Sequence, residues 1–86
     1  MYDYSYGSIN PLSPGLVSEE HFRLLIDISS VRSERIINAL KAYFVDGKVR
    51  KKICEEFKLS AGYLSVKIRE IQYLCCRVIE LYPYFC

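Results

Sequence analysis

The groups in this chain best suited to chemistry are cations, and they are clustered. From Lys48 to Arg69 stand seven basic side chains (Lys48, Arg50, Lys51, Lys52, Lys58, Lys67, Arg69) against two acidic ones, Glu55 and Glu56. That window carries +5, and the other residues, with five basic and eight acidic side chains, carry −3, which gives the formal +2 of the whole. A positive segment on a weakly negative body is the electrostatic footprint of a nucleic-acid contact. Covalent chemistry has less to work with. His21 lies beside two glutamates and reads as a surface residue rather than a base. There is no Gly-rich phosphate loop, no close acidic cluster, and no nucleophile near a base in sequence. The cysteines at 54, 75, 76 and 86 lack CxxC spacing, and a single His cannot complete a familiar zinc pattern. Cys54 and Cys75 read as small, reduced packing residues. No enzymatic activity, cofactor or metal is expected.

The elements that must position these cations follow from composition and period. At 86 residues, 51% hydrophobic and 26% charged, the chain has room for one domain with a thin core and is too apolar for disorder over most of its length. No apolar run reaches the 18 or more residues of a membrane span. Tyr73 to Cys86 is broken by Arg77, Glu80 and Pro83, and the first residues lack a basic and an apolar signal region, so a cytoplasmic protein is expected. Residues 1–17, with Pro11, Pro14, Gly7 and Gly15, read as an irregular arm, and 18–86 as the domain proper. Ser18 caps a helix over 19–28, with Glu19 and Glu20 in its first turn. Ile36, Ile37, Leu40, Tyr43 and Phe44 make one stripe of a helix over 32–45, closed by Asp46-Gly47. Val49, Ile53 and Phe57 predict a short helix over 49–57. A fourth runs over 61–82, its stripe Leu64, Ile68, Ile71, Cys75, Val78 or Ile79, and Tyr82. The fold class is all-α: a small helical domain with a helix-turn-helix and four main helices.

The spacing from Arg50 to Ile68 is that of a helix-turn-helix. Cys54 supplies the small residue at the crossing, Phe57 and Leu59 bracket the turn, Ser60 caps the second helix and Leu64 anchors it. Two positions depart from the pattern. Lys58 stands where glycine is common, at a cost on the order of 1 kcal/mol if φ is positive. Lys67 stands at an apolar position, and Ile68 takes over its packing. With Leu64 inward, Gly62, Val66, Arg69 and Tyr73 lie on the opposite face of the second helix and Ser65 on its flank. Arg69 can meet a guanine edge or a phosphate, Val66 a thymine methyl, Ser65 either. Arg50, Lys51 and Lys52 are expected on phosphates. Ser60, Gly62, Tyr63 and Lys67 complete the candidate DNA contacts. The competing reading of both groups is a solvated basic surface.

The stretch from Ser18 through Gly47, with Arg50-Lys51, Cys54, Phe57, Gly62-Tyr63-Leu64-Ser65 and the terminal Leu81-Tyr82-Pro83-Tyr84, resembles the PapB-type fimbrial regulators, the adhesin-biosynthesis transcription regulators of enteric bacteria. The resemblance covers about residues 18–84 in unbroken order. It implies a helical regulator that binds AT-rich promoter sites on double-stranded DNA, several protomers side by side. It ties the arginine opening the helix before the turn, here Arg50, to DNA binding, and the cysteine four residues on, Cys54, to protomer association.

A homo-oligomer is expected on physical grounds too. The last helix keeps Val66, Tyr73, Leu74 and Leu81 outside its core stripe, and either part of this set or Phe22 and Leu25 of the first helix would pair with another protomer. The alternative function is a non-enzymatic interaction module whose basic segment docks on an acidic partner.

Overall fold

A computed structural model describes residues 12–84. Residues 1–11 of the expected arm, and Phe85 and Cys86, lie outside the described residues. Four helices follow in order: α1 (Glu19–Ile28), α2 (Glu34–Phe44), α3 (Arg50–Phe57) and α4 (Ala61–Leu81), with a 3-10 turn at Tyr82–Tyr84. Among the described residues there is no strand. The all-α class and the four helices agree with the sequence reading.

The boundaries have local causes. The Ser18 hydroxyl accepts the His21 N–H at 3.1 Å and starts α1. The second helix begins at Glu34 rather than at 32, because Ser33 keeps an extended backbone (ψ 122°) as its N-cap, and Arg32 lies in the link before it. Arg32 Nη1 donates to the carbonyls of Ser29 and Val31, each at 2.8 Å. Ser60 repeats the Ser18 cap at α4, its hydroxyl accepting the Tyr63 N–H at 3.1 Å. Pro83 stops α4, since it lacks the amide a further turn would require. Between α1 and α2, Lys41 Nζ lies 2.9 Å from Glu19 Oε2, which holds the carboxyl below and the amine above their ordinary ranges. Both groups are exposed, so the pair adds little stability.

One core takes a face from every helix. Leu40, Phe44, Ile53, Leu64 and Ile71 are its fully buried large side chains, with Ile26, Ile36 and Ile68 around them. Phe57, expected in the interior, is half-buried at the rim. Phe22 and Leu25 are 3% and 4% exposed. They are committed to this core, so the expectation that they pair with another protomer is corrected: a second copy could reach them only by unfolding the first. The expected continuous stripe of α4 is corrected as well. It leaves the core after Cys76, and Val78, Ile79 and Tyr82 are exposed. At 21 residues, or roughly 31 Å, α4 outruns the elements packed on it.

Residues 12–17 form no helix, yet they belong to the core. Leu12 and Val17 are buried. Gln72, the one buried polar side chain among the described residues, grips both backbone groups of Leu12: Oε1 accepts its N–H at 3.0 Å and Nε2 donates to its carbonyl at 2.8 Å. The Phe44 carbonyl accepts from Gly15 N–H at 2.9 Å and Val17 N–H at 3.2 Å. Here Gly15 (φ +79°) packs on Gly47 (φ +75°), and a Cβ on either would sit 3.1 Å from the Cα of the other.

Lys58 is left-handed, with φ 57° and ψ 52°, as the turn requires. Substituting glycine there removes the Cβ strain. Lys58→Gly is expected to stabilise the fold by up to about 1 kcal/mol, a rise in thermal midpoint of roughly 4–8 °C. Gly47→Ala should shift the midpoint the other way by at least as much, because it adds backbone strain and pushes on Gly15. Differential scanning calorimetry of both variants checks the pair.

Candidate nucleic-acid interface

α3 and α4 are joined by Lys58, Leu59 and Ser60, and this unit carries the cationic window. The carbonyl of Cys54 accepts the amides of both Lys58 and Leu59, the latter at 3.0 Å, which closes α3 before the chain reverses. Arg50, Lys51 and Lys52 open α3 and are exposed, and no acidic residue shares that first turn.

Arg50 does not extend freely. Its Nη1 donates to Ser65 Oγ at 3.1 Å, and its guanidinium carbon lies 5.4 Å from the centre of the Tyr43 ring. Nη2 stands 3.5 Å from the Tyr43 hydroxyl, a marginal distance for a hydrogen bond. Tyr43 is itself set edge-on against buried Phe44, with centroids 4.9 Å apart and planes at 82°. One guanidinium thus joins the end of α2, the start of α3 and the second turn of α4.

Helical geometry gathers Gly62, Ser65, Val66 and Arg69 into an arc of ~100° on α4. Val66 and Arg69 are exposed, Ser65 is half-buried under Arg50, and nothing approaches within 4 Å of where a Gly62 Cβ would stand. Tyr63 and Lys67 are not brought to this arc. They lie on the other flank, where Lys67 Nζ pairs with Glu70 at 3.3 Å and sits 5.5 Å from the Tyr63 ring centre. Ser60 spends its hydroxyl on the cap. Lys48 is paired with Glu56 at 3.3 Å. Among the described residues, Arg50, Lys51, Lys52, Lys58 and Arg69 have no acidic partner. Cations left unneutralised around one helix pair suit a polyanion.

The association candidates are dispersed. Cys54 is half-buried against the core. Tyr73 is exposed beneath Arg77, whose guanidinium carbon lies 5.8 Å from the ring centre. Leu74 is half-buried and borders a shallow hollow with Ile28, Ser29 and Val31. Cys75 and Cys76 are buried, and burial, with Cys76 adding to it, pushes the Cys75 thiol up. Among the described residues no three His, Cys, Asp or Glu side chains gather as a metal site, and no helix is long and apolar enough to cross a membrane.

Sequence reasoning placed Tyr43 in the core stripe and missed its role under Arg50. The two are seven residues apart across a turn, and no local pattern links them. Gln72 was passed over too, although its position beside the Leu64 stripe was a usable signal.

The chain matches the model of the adhesin biosynthesis transcription regulatory protein family over residues 6–85. It is 53% identical over 70 residues to the regulatory protein FanB of Escherichia coli, covering 81% of this chain and 71% of that protein. It is 43% identical over 74 residues to the major pilus-subunit operon regulatory protein PapB of the same organism, covering 86% and 71%. Its fold matches the crystal structure of Escherichia coli FocB with a TM-score of 0.82 at 43% identity, over 90% of this chain and 88% of that one.

The open space at Gly62 sets a control for this surface. Gly62→Ala should leave the thermal midpoint unchanged or raise it, since alanine is favoured over glycine in helices by up to about 1 kcal/mol. A fall in the midpoint would mean that the site is packed rather than open.

Proposed function

The chain belongs to the adhesin biosynthesis transcription regulatory protein family, a family of regulators and not of enzymes, and from that premise we propose that it binds double-stranded DNA at the promoters of fimbrial or adhesin operons. The observation that carries the reading is the set of cations on the α3–turn–α4 unit without acidic partners among the described residues. In this reading the unit acts as a helix-turn-helix. Lys51 and Lys52 meet phosphates flanking the groove, Arg50 stands between them and α4, and Gly62, Ser65, Val66 and Arg69 present a slim face to the bases. AT-rich sites, implied by the family resemblance, would let Arg69 read a narrow minor groove in place of base edges.

Several protomers bind side by side in this proposal. Tyr73, Leu74 and Leu81, on the part of α4 leading out of the core, supply the association surface, with Cys54 acting through the α3 packing. Joining weak single-protomer contacts raises the affinity of the assembly without new base contacts. The protein acts in the cytoplasm, where the operons are.

A salt titration on duplex DNA tests the reading. The log–log slope should approach −0.9 per phosphate contacted. Replacing Lys51 and Lys52 together by alanine should weaken promoter and random duplex in parallel and shallow the slope by about 2. Arg69→Ala should instead cost ~1–3 kcal/mol at the preferred site alone. No duplex binding at low salt would favour docking on an acidic protein partner.

A further inference from the structure

We infer that Arg50 is a positioning residue for sequence discrimination: it fixes the Ser65 hydroxyl, and with it the approach of α4, rather than serving mainly as a phosphate-binding charge. The inference rests on the DNA-binding reading above and refines it. Three observations carry it. The guanidinium is already engaged within the fold, donating to Ser65 Oγ at 3.1 Å with its carbon 5.4 Å from the Tyr43 ring centre. Tyr43 is a firm platform, because it is half-buried and set against fully buried Phe44. Ser65 lies in the arc of α4 that also carries Gly62, Val66 and Arg69.

The chemistry of the hydroxyl gives the contact its consequence. A serine within a helix can turn its proton back to the carbonyl four residues earlier or out to a ligand. An N–H donated by Arg50 occupies one lone pair of Oγ and repels the hydroxyl proton from that side. The proton is then offered away from the guanidinium, and the rotamer of Ser65 is narrowed. Only a planar fork can donate from one nitrogen while its face lies over a ring; the ammonium of lysine can supply the charge but not both contacts at once. Lys51 and Lys52, exposed and without acidic partners among the described residues, remain to supply unspecific charge. On the free surface each Arg50 contact is weak, but DNA laid over it excludes water and strengthens the arrangement.

The test uses the full chain, a duplex selected by the parent protein from a randomised pool, and a random duplex of equal length. The readouts are the ratio of the two dissociation constants, the salt slope on the random duplex, and the thermal midpoint. Arg50→Lys should keep random-duplex affinity, salt slope and midpoint near those of the parent, yet reduce the ratio about tenfold, the lower part of the range for one good base contact. Ser65→Ala should reduce the ratio similarly, and adding Arg50→Lys to Ser65→Ala should cost nothing more, since the residue acts through that hydroxyl. Tyr43→Phe, which keeps the ring, should stay close to the parent, while Tyr43→Leu should reduce the ratio as Arg50→Lys does and also lower the midpoint, since it removes the ring packed on Phe44. A ratio unchanged in Arg50→Lys, or losses that add in the double variant, would overturn the positioning role and leave the DNA-binding reading standing. If the parent bound neither duplex, both would fall together.

Discussion

The functional half of the molecule depends on one reversal of the chain. α3 must end and α4 begin within three residues, and a right-handed continuation would carry the chain past the crossing. Lys58 takes the left-handed conformation instead, and the Cys54 carbonyl holds the turn by accepting two amides. With that reversal in place, Ile53 and Leu64 are both buried at the crossing, and Arg50 comes within hydrogen-bond distance of a residue fifteen positions later. The strain at Lys58 is a local cost, offset by the apolar surface that the crossing buries.

Charge is distributed around this crossing by pairing as much as by position. Seven cations fall in the window from Lys48 to Arg69, but Lys48 and Lys67 are matched by Glu56 and Glu70. The positive field is therefore concentrated at the start of α3, in the turn, and on the Arg69 side of α4. A count of charges along the chain overstates the surface by the two that are paired, and only the three-dimensional partners reveal which two.

Much of the fold was legible because its signals are local. Serine caps, acidic first turns, a helical period and the Asp46-Gly47 stop depend on residues within a few positions of each other, and α1 begins and ends where they place it. Residue 58 was legible for the same reason as a turn position where glycine is common, but that Lys58 itself takes the left-handed conformation was not. Phe22 and Leu25 were misjudged because an apolar stripe shows that a face is buried but not by which chain. The far end of α4 was misjudged because a stripe says nothing of whether another element extends alongside it. At the candidate site, the grouping of Gly62, Ser65, Val66 and Arg69 followed from helix geometry, whereas the contact of Arg50 with Tyr43 and Ser65 required knowledge of how three helices meet.

The grip of Gln72 on Leu12 has a chemical direction. The amide oxygen faces an N–H and the amide nitrogen faces a carbonyl, so the pair behaves like one rung of a sheet made by a side chain. Were a glutamate to stand at this position, an oxygen would take the place of the nitrogen that donates to the Leu12 carbonyl at 2.8 Å, in a place with little water to solvate it. An ionised carboxyl there would have no hydrogen to offer the carbonyl, and only the amide supplies donor and acceptor together at any pH. The attachment of Leu12 therefore rests on the amide form of one buried side chain, three residues from Arg69.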